Sequence, residues 1–152
     1  MRIGIDACLI LSERRGSGEY VYKLIKNLIE IDKENQYVLF YRFMREAEQR
    51  KKIIESFSGT NVENKVFRIP GYFLDFFWNT FSFPSIDLML GKLDLFHYPF
   101  SYNPPPISSK WIVTVHDLMW QRFNAHYTKE ELNGYERTFS RIKREAALVL
   151  AS

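Results

Sequence analysis

Met1-Arg-Ile-Gly-Ile-Asp-Ala7, followed by Arg15-Gly-Ser-Gly-Glu-Tyr-Val21, is the stretch that decides the fold. Ile3-Gly4-Ile5 is short and apolar, the pattern of a central parallel strand buried on both faces. From Glu19 to Ile31 the apolar positions Tyr20, Val21, Leu24, Ile25, Leu28 and Ile29 recur with helical period, and Lys23, Lys26 and Asn27 fall outside it. A strand, a glycine loop and an amphipathic helix make the opening of a βα unit.

The rest of the chain repeats that alternation. Strands are expected over Gln36–Phe43, Lys65–Ile69 (stopped by Pro70-Gly71), Asp94–His97, Trp111–Val115 and Ala147–Ala151. Between them stand a charged helix from Glu46 to Phe57 and two short helices over Tyr72–Gly91 broken at Pro84. A Pro-rich loop follows from Tyr98 to Ser109. The last helix is opened by a Thr128/Glu131 capping box, with Leu132, Tyr135, Phe139, Ile142 and Ala146 in register. The alternation predicts an α/β, Rossmann-like, doubly wound and mostly parallel sheet flanked by helices, as a single domain over 1–152.

Composition narrows the partners. At 152 residues the chain can bury a real core, and 46% apolar with 26% charged residues is an ordinary globular balance. A net charge of +3 is too mild for a nucleic-acid footprint. The single cysteine, Cys8, leaves no intramolecular disulfide and fits a reducing compartment, as a small buried hydrophobe. Asp6 interrupts the first apolar run, which argues against a signal peptide, and no apolar stretch is long enough to span a bilayer. The chain reads as soluble and cytoplasmic.

Gly16-Ser17-Gly18 before a helix is suited to an anion. Glycines bring backbone N–H groups close to it, and the positive end of the helix dipole favours it. Arg14 and Arg15 would add charge. The dinucleotide fingerprint is incomplete, since Val21 stands at the third glycine and about nine residues separate Asp6 from Gly16. The competing reading is a surface loop whose glycines merely permit turns.

His116 ends the fifth strand and is followed by Asp117, which can accept a hydrogen bond or cap the next segment. A histidine there can bond a substrate hydroxyl. The competing reading, which its position disfavours, is that it closes the strand against backbone. His97 ends the fourth strand beside the stiff loop; His126 lies in a loop. Neither metal-ligand spacing nor a serine nucleophile elbow is present.

Met1–Ala7, Gly16–Val21, Asp94–Pro99, Val113–Leu118 and Ala147–Ser152 follow one another in an order and spacing that resembles a known family. It is the N-terminal domain of the "group 1" retaining glycosyltransferases of GT-B fold, mannosyltransferase-like branch. The resemblance implies transfer of a sugar from a nucleotide-diphosphate sugar to a saccharide or lipid-linked acceptor, with no cofactor and no required metal. It assigns the donor diphosphate to Gly16, Ser17 and Gly18, the catalytic place beside the transferred sugar to His116 with Asp117, and the substrate or acceptor to His97, Tyr98 and Tyr20. Glu19 departs from the family, which often has Arg there, so its carboxylate must turn away or weaken the diphosphate site. The family's C-terminal donor-binding domain is absent, so the chain is expected to be an inactive half by itself. Two alternatives stand beside this: a non-catalytic binding subunit of a split transferase, and an unrelated nucleotide-binding α/β domain.

One segment is unusually aromatic, from Phe73 to Phe83. It is expected to pack as core through Leu74, Phe77 and Phe81, against the reading of an apolar acceptor groove or a peripheral contact at the inner membrane face. Arg137, Arg141 and Arg144 on one helix face read as a solvated basic surface.

Overall fold

The computed structural model describes residues 1–11, 16–44 and 48–151. Six strands form one sheet: β1 Arg2–Asp6, β2 Gln36–Arg42, β3 Val62–Phe67, β4 Leu95–Tyr98, β5 Lys110–Val115 and β6 Leu148–Ala151. Among the described residues six α-helices accompany them: α1 Ser17–Ile31, α2 Glu48–Ser56, α3 Gly71–Phe81, α4 Ile86–Leu90, α5 Met119–Arg122 and α6 Lys129–Glu145. All pairings are parallel in the order β3-β2-β1-β4-β5-β6. This is a Rossmann-like, doubly wound sheet. The chain winds outward from β1 to β3, then returns to the other side of β1 and winds outward again. The reversal lies between β1 and β4, paired through Ile3↔Leu95, Gly4↔Phe96 and Ile5↔His97.

Strand alternation builds two cores. Ile5, Leu39 and Tyr41 meet Val21 and Ile25 of α1 on one face, with Ile53 and Ile54 of α2 packed at the margin. Val38, Phe40, Phe96 and Val113 meet Leu74 and Trp78 of α3, Ile86 of α4 and Ile142 of α6 on the other. Gly4 is required where these layers close. A Cβ there would lie 2.7 Å from both Leu93 Cδ1 and Phe96 Cδ2.

The β4–β5 crossover contains no helix, so its backbone needs partners from elsewhere. Asp87 accepts from the Ser108 and Ser109 N–H groups at 2.7 and 3.1 Å, and the Arg141 guanidinium donates to the Pro104 and Pro105 carbonyls at 2.6 and 2.8 Å. α6 begins on the expected capping box, Thr128 accepting from the Glu131 N–H and Glu131 from that of Thr128.

Some expectations are corrected. β3 starts at Val62 rather than Lys65, because register with Tyr37 extends it along a partly solvated edge. α3 buries Leu74 and Trp78, while Phe81 is 62% exposed and Phe77 only half-buried. The packed stripe is thus one i, i+4 pair, fixed by the Trp78 indole N–H donating to the Pro84 carbonyl at 2.9 Å. The expected start of the second helix at Glu46 lies outside the described residues. No helix among the described residues is long and apolar enough to cross a membrane.

Candidate active site at the strand-order reversal

Ligands of open α/β sheets sit outside the carboxyl ends of the strands where the winding reverses. Here that edge carries the ends of β1, β4 and β5 and the beginning of α1. Asp6 closes β1, 3% exposed, and accepts from the Cys8 N–H at 2.9 Å. Burial pushes its carboxyl pKa up, partly offset by the hydrogen bond from Cys8. Cys8 is half-buried with Sγ 3.8 Å from the Phe40 carbonyl, and burial pushes its thiol up.

Gly16 begins α1 with φ 53° and ψ −119°, a conformation reserved in practice for glycine, and no side chain caps the helix. A Cβ on it would meet nothing within 4 Å, so the backbone angle alone demands the residue. Gly18 is buried in the first turn. The Glu19 carboxylate pairs with Lys23 at 3.5 Å, directed along the helix toward its next turn. Arg14 and Arg15, expected to reinforce the anion site, lie outside the described residues.

One turn into α1, Tyr20 reaches across to the sheet. Its Oη lies 3.2 Å from Thr114 Oγ1 on β5, and Thr114 Oγ1 lies 2.9 Å from His97 Nε2 on β4. Thr114 is fully buried and His97 is 4% exposed. Burial lowers the His97 pKa to about 4, so the ring is neutral at physiological pH. The Tyr20 and His116 rings pack in a T-shaped pair, centroids 5.0 Å apart and planes at 82°. His116 Nε2 lies 2.9 Å from the Pro99 carbonyl. A carbonyl only accepts, so Nε2 carries the hydrogen.

The structure therefore brings Gly16, Ser17, Gly18, Tyr20, His97 and His116 to one face of one sheet edge. Within that set His97 is turned to Thr114 and not to solvent. Tyr98 is not with them. Alternation along β4 sends it to the opposite face, where its hydroxyl donates to the Tyr102 and Asn103 carbonyls at 2.6 and 3.2 Å. Asp117 is exposed and its carboxylate accepts from the Met119 N–H at 3.0 Å, at the turn into α5. Thr114 was missed in the sequence; the signal was a hydroxyl inside an otherwise apolar strand. No group of three or more His, Cys, Asp or Glu among the described residues is placed to hold a metal ion.

Compared with family models, curated proteins and solved structures, the chain matches none.

Proposed function

We propose that this chain is the acceptor-binding half of a retaining glycosyltransferase, acting in the cytoplasm on a nucleotide-diphosphate sugar and a saccharide or lipid-linked acceptor. The observation that carries the reading is the meeting of the α1 N-terminus with His116 through Tyr20, over the reversal between β1 and β4. The Ser17, Gly18 and Glu19 amides would face the donor diphosphate, and the helix dipole would favour its charge. His116, its ring fixed by Pro99, would bond the transferred sugar. Tyr20 would contact the acceptor, and His97 would position Tyr20 through Thr114. Stabilising the departing diphosphate requires cationic or N–H groups from both sides. A donor-binding domain would supply the second side.

The test is a titration of nucleoside-diphosphate sugars and saccharide acceptors, followed by amide and imidazole NMR shifts. Expected are shifts confined to 16–20 and His116, with no turnover by the chain alone. Transfer catalysed by these 152 residues alone overturns the half-site reading. With the donor-binding domain supplied, His116→Ala should lower transfer about 10²-fold or more; unchanged transfer removes His116 from the chemistry. A second reading, an unrelated nucleotide-binding α/β domain, is favoured by the strand order itself, which is that of the dinucleotide-binding fold. Preference for a nicotinamide or flavin nucleotide in the same titration would select it.

A further inference from the structure

On the face of the sheet opposite His116, α3 and α6 stand together over the core that contains Leu74, Trp78 and Ile142. The outer side of α3 and the turn into α4 are aromatic. Tyr72, Phe73, Phe76, Phe81, Phe83 and Leu88 are between 50% and 79% exposed. Three of them pack around Phe77, whose ring centroid lies 4.8 Å from that of Phe73, 5.9 Å from Phe76 and 5.7 Å from Phe81.

This segment also carries little charge. Between Pro70 and Gly91 the only charged residues are Asp75 and Asp87. Asp75 is paired with Arg42, and Asp87 is taken up by the backbone of the β4–β5 crossover. Soluble proteins seldom leave an uncharged apolar patch of this kind without a contact to make.

Beside it lies a polar cleft of about 480 Å³, lined by Trp78, Asn79, Tyr102, Asn103, Gly134 and Arg137. Asn79 stands one turn from Phe76 on α3, so the cleft borders the aromatic face. Arg141 also lines it, but its guanidinium is engaged by Pro104, Pro105 and Glu145. Arg137 donates Nε to the Asn133 carbonyl and forms no ion pair with any described residue. Arg144, its side chain 70% exposed, extends the same flank and pairs with Glu145. Glu136 borders both sides of α6: it lines a groove with Arg137, Ser140 and Arg144, and another with Trp120 and Gln121.

Gly134 is the second pointer to a ligand. Glycine is the least favourable residue after proline in a helix interior. Packing does not require it, since a Cβ there would make only ordinary contact, 3.5 Å from Tyr102 Oη. What its bare backbone does is keep the cleft floor open.

We propose that this face docks on a bilayer containing anionic phospholipid, with the α3 aromatic residues entering the interface and a phosphate headgroup seated in the cleft against Arg137. Aromatic rings are at home at the headgroup level, and an unpaired guanidinium beside them complements phosphate. The proposal does not depend on the transferase reading, because vesicle binding needs neither sugar nor turnover.

The experiment is co-sedimentation of the full chain with vesicles of phosphatidylcholine alone, and of phosphatidylcholine with one third phosphatidylglycerol. Wild type should sediment with the anionic vesicles and far less with the neutral ones. The double variant Phe73→Ser/Phe76→Ser, altered only at exposed positions, should bind at least tenfold more weakly. Arg137→Gln should weaken binding about fivefold and flatten its salt dependence. Gly134→Leu should weaken it comparably while holding or raising the thermal midpoint, which separates cleft filling from misfolding. Equal binding to neutral vesicles, or none to anionic ones, overturns the proposal. So does binding that ignores Arg137→Gln and Gly134→Leu. A wild-type oligomer made monomeric by the phenylalanine changes, with vesicle binding unaltered, would assign the face to self-association instead.

Discussion

At the scale of single residues, backbone angle and burial decide what can be changed. Gly16 has open space around its Cα, yet Gly16→Ala should cost about 1–3 kcal/mol, because φ 53° with ψ −119° is strained for any residue with a Cβ. A urea midpoint no lower than wild type would show that the turn has another conformation available. His97 makes a pH signature. Unfolded, its imidazole takes a proton near its ordinary value of 6.5; folded, burial delays this to about 4. Its contribution is therefore complete above pH 6.5 and is lost as pH falls toward 4, about 3 kcal/mol in all. His97→Gln retains hydrogen-bonding capacity toward Thr114 without titrating, so its urea midpoint should fall less steeply over that window. The site was partly legible at this scale. His97 and His116 stood out as strand-terminal ionisable groups. The assignment of adjacent His97 and Tyr98 to one crevice ignored the period of two in a strand, which sends neighbours to opposite faces. Thr114 was hidden because nothing in sequence says which hydroxyl lies under which helix.

At the scale of elements, what was legible followed how fully each element is buried. β2 announced itself as the continuous run Tyr37–Tyr41, buried on both faces. β3, Val-Glu-Asn-Lys-Val-Phe, pairs with one neighbour among the described residues and carries three polar side chains in its middle, and its sequence signal begins late, at Lys65. α6 was the clearest helix because its start is chemical as well as periodic. Thr128→Ala removes the side chain that accepts from the Glu131 N–H and should destabilise by about 1 kcal/mol. Loss of amide protection confined to the first turn of α6 is the accompanying observation. α3 was harder. Seven of its eleven positions are aromatic or aliphatic and they fall on every side, so periodicity could not choose a stripe, and contacts from β2 and Pro84 chose Leu74 and Trp78.

At the scale of the whole molecule, the sheet has two unlike margins. β3 carries Glu63, Asn64 and Lys65 in its middle, whereas β6 has no charged side chain and leaves Leu148 and Val149 about half exposed. Among the described residues β6 has no neighbour beyond β5, and an apolar edge of that kind invites pairing between chains. Val149→Lys should reduce concentration-dependent light scattering without lowering the thermal midpoint; unchanged scattering would clear the β6 edge. The strand order has a further consequence, for the chain as it is made. β1 can pair with β2 as soon as Arg42 has left the ribosome, but its other edge waits for β4, roughly fifty residues later. At about 5–20 residues per second that edge stays open for several seconds of synthesis. During that interval Gly4 has no Phe96 against it, and the nascent β1–β2–β3 half is the species most in need of a chaperone.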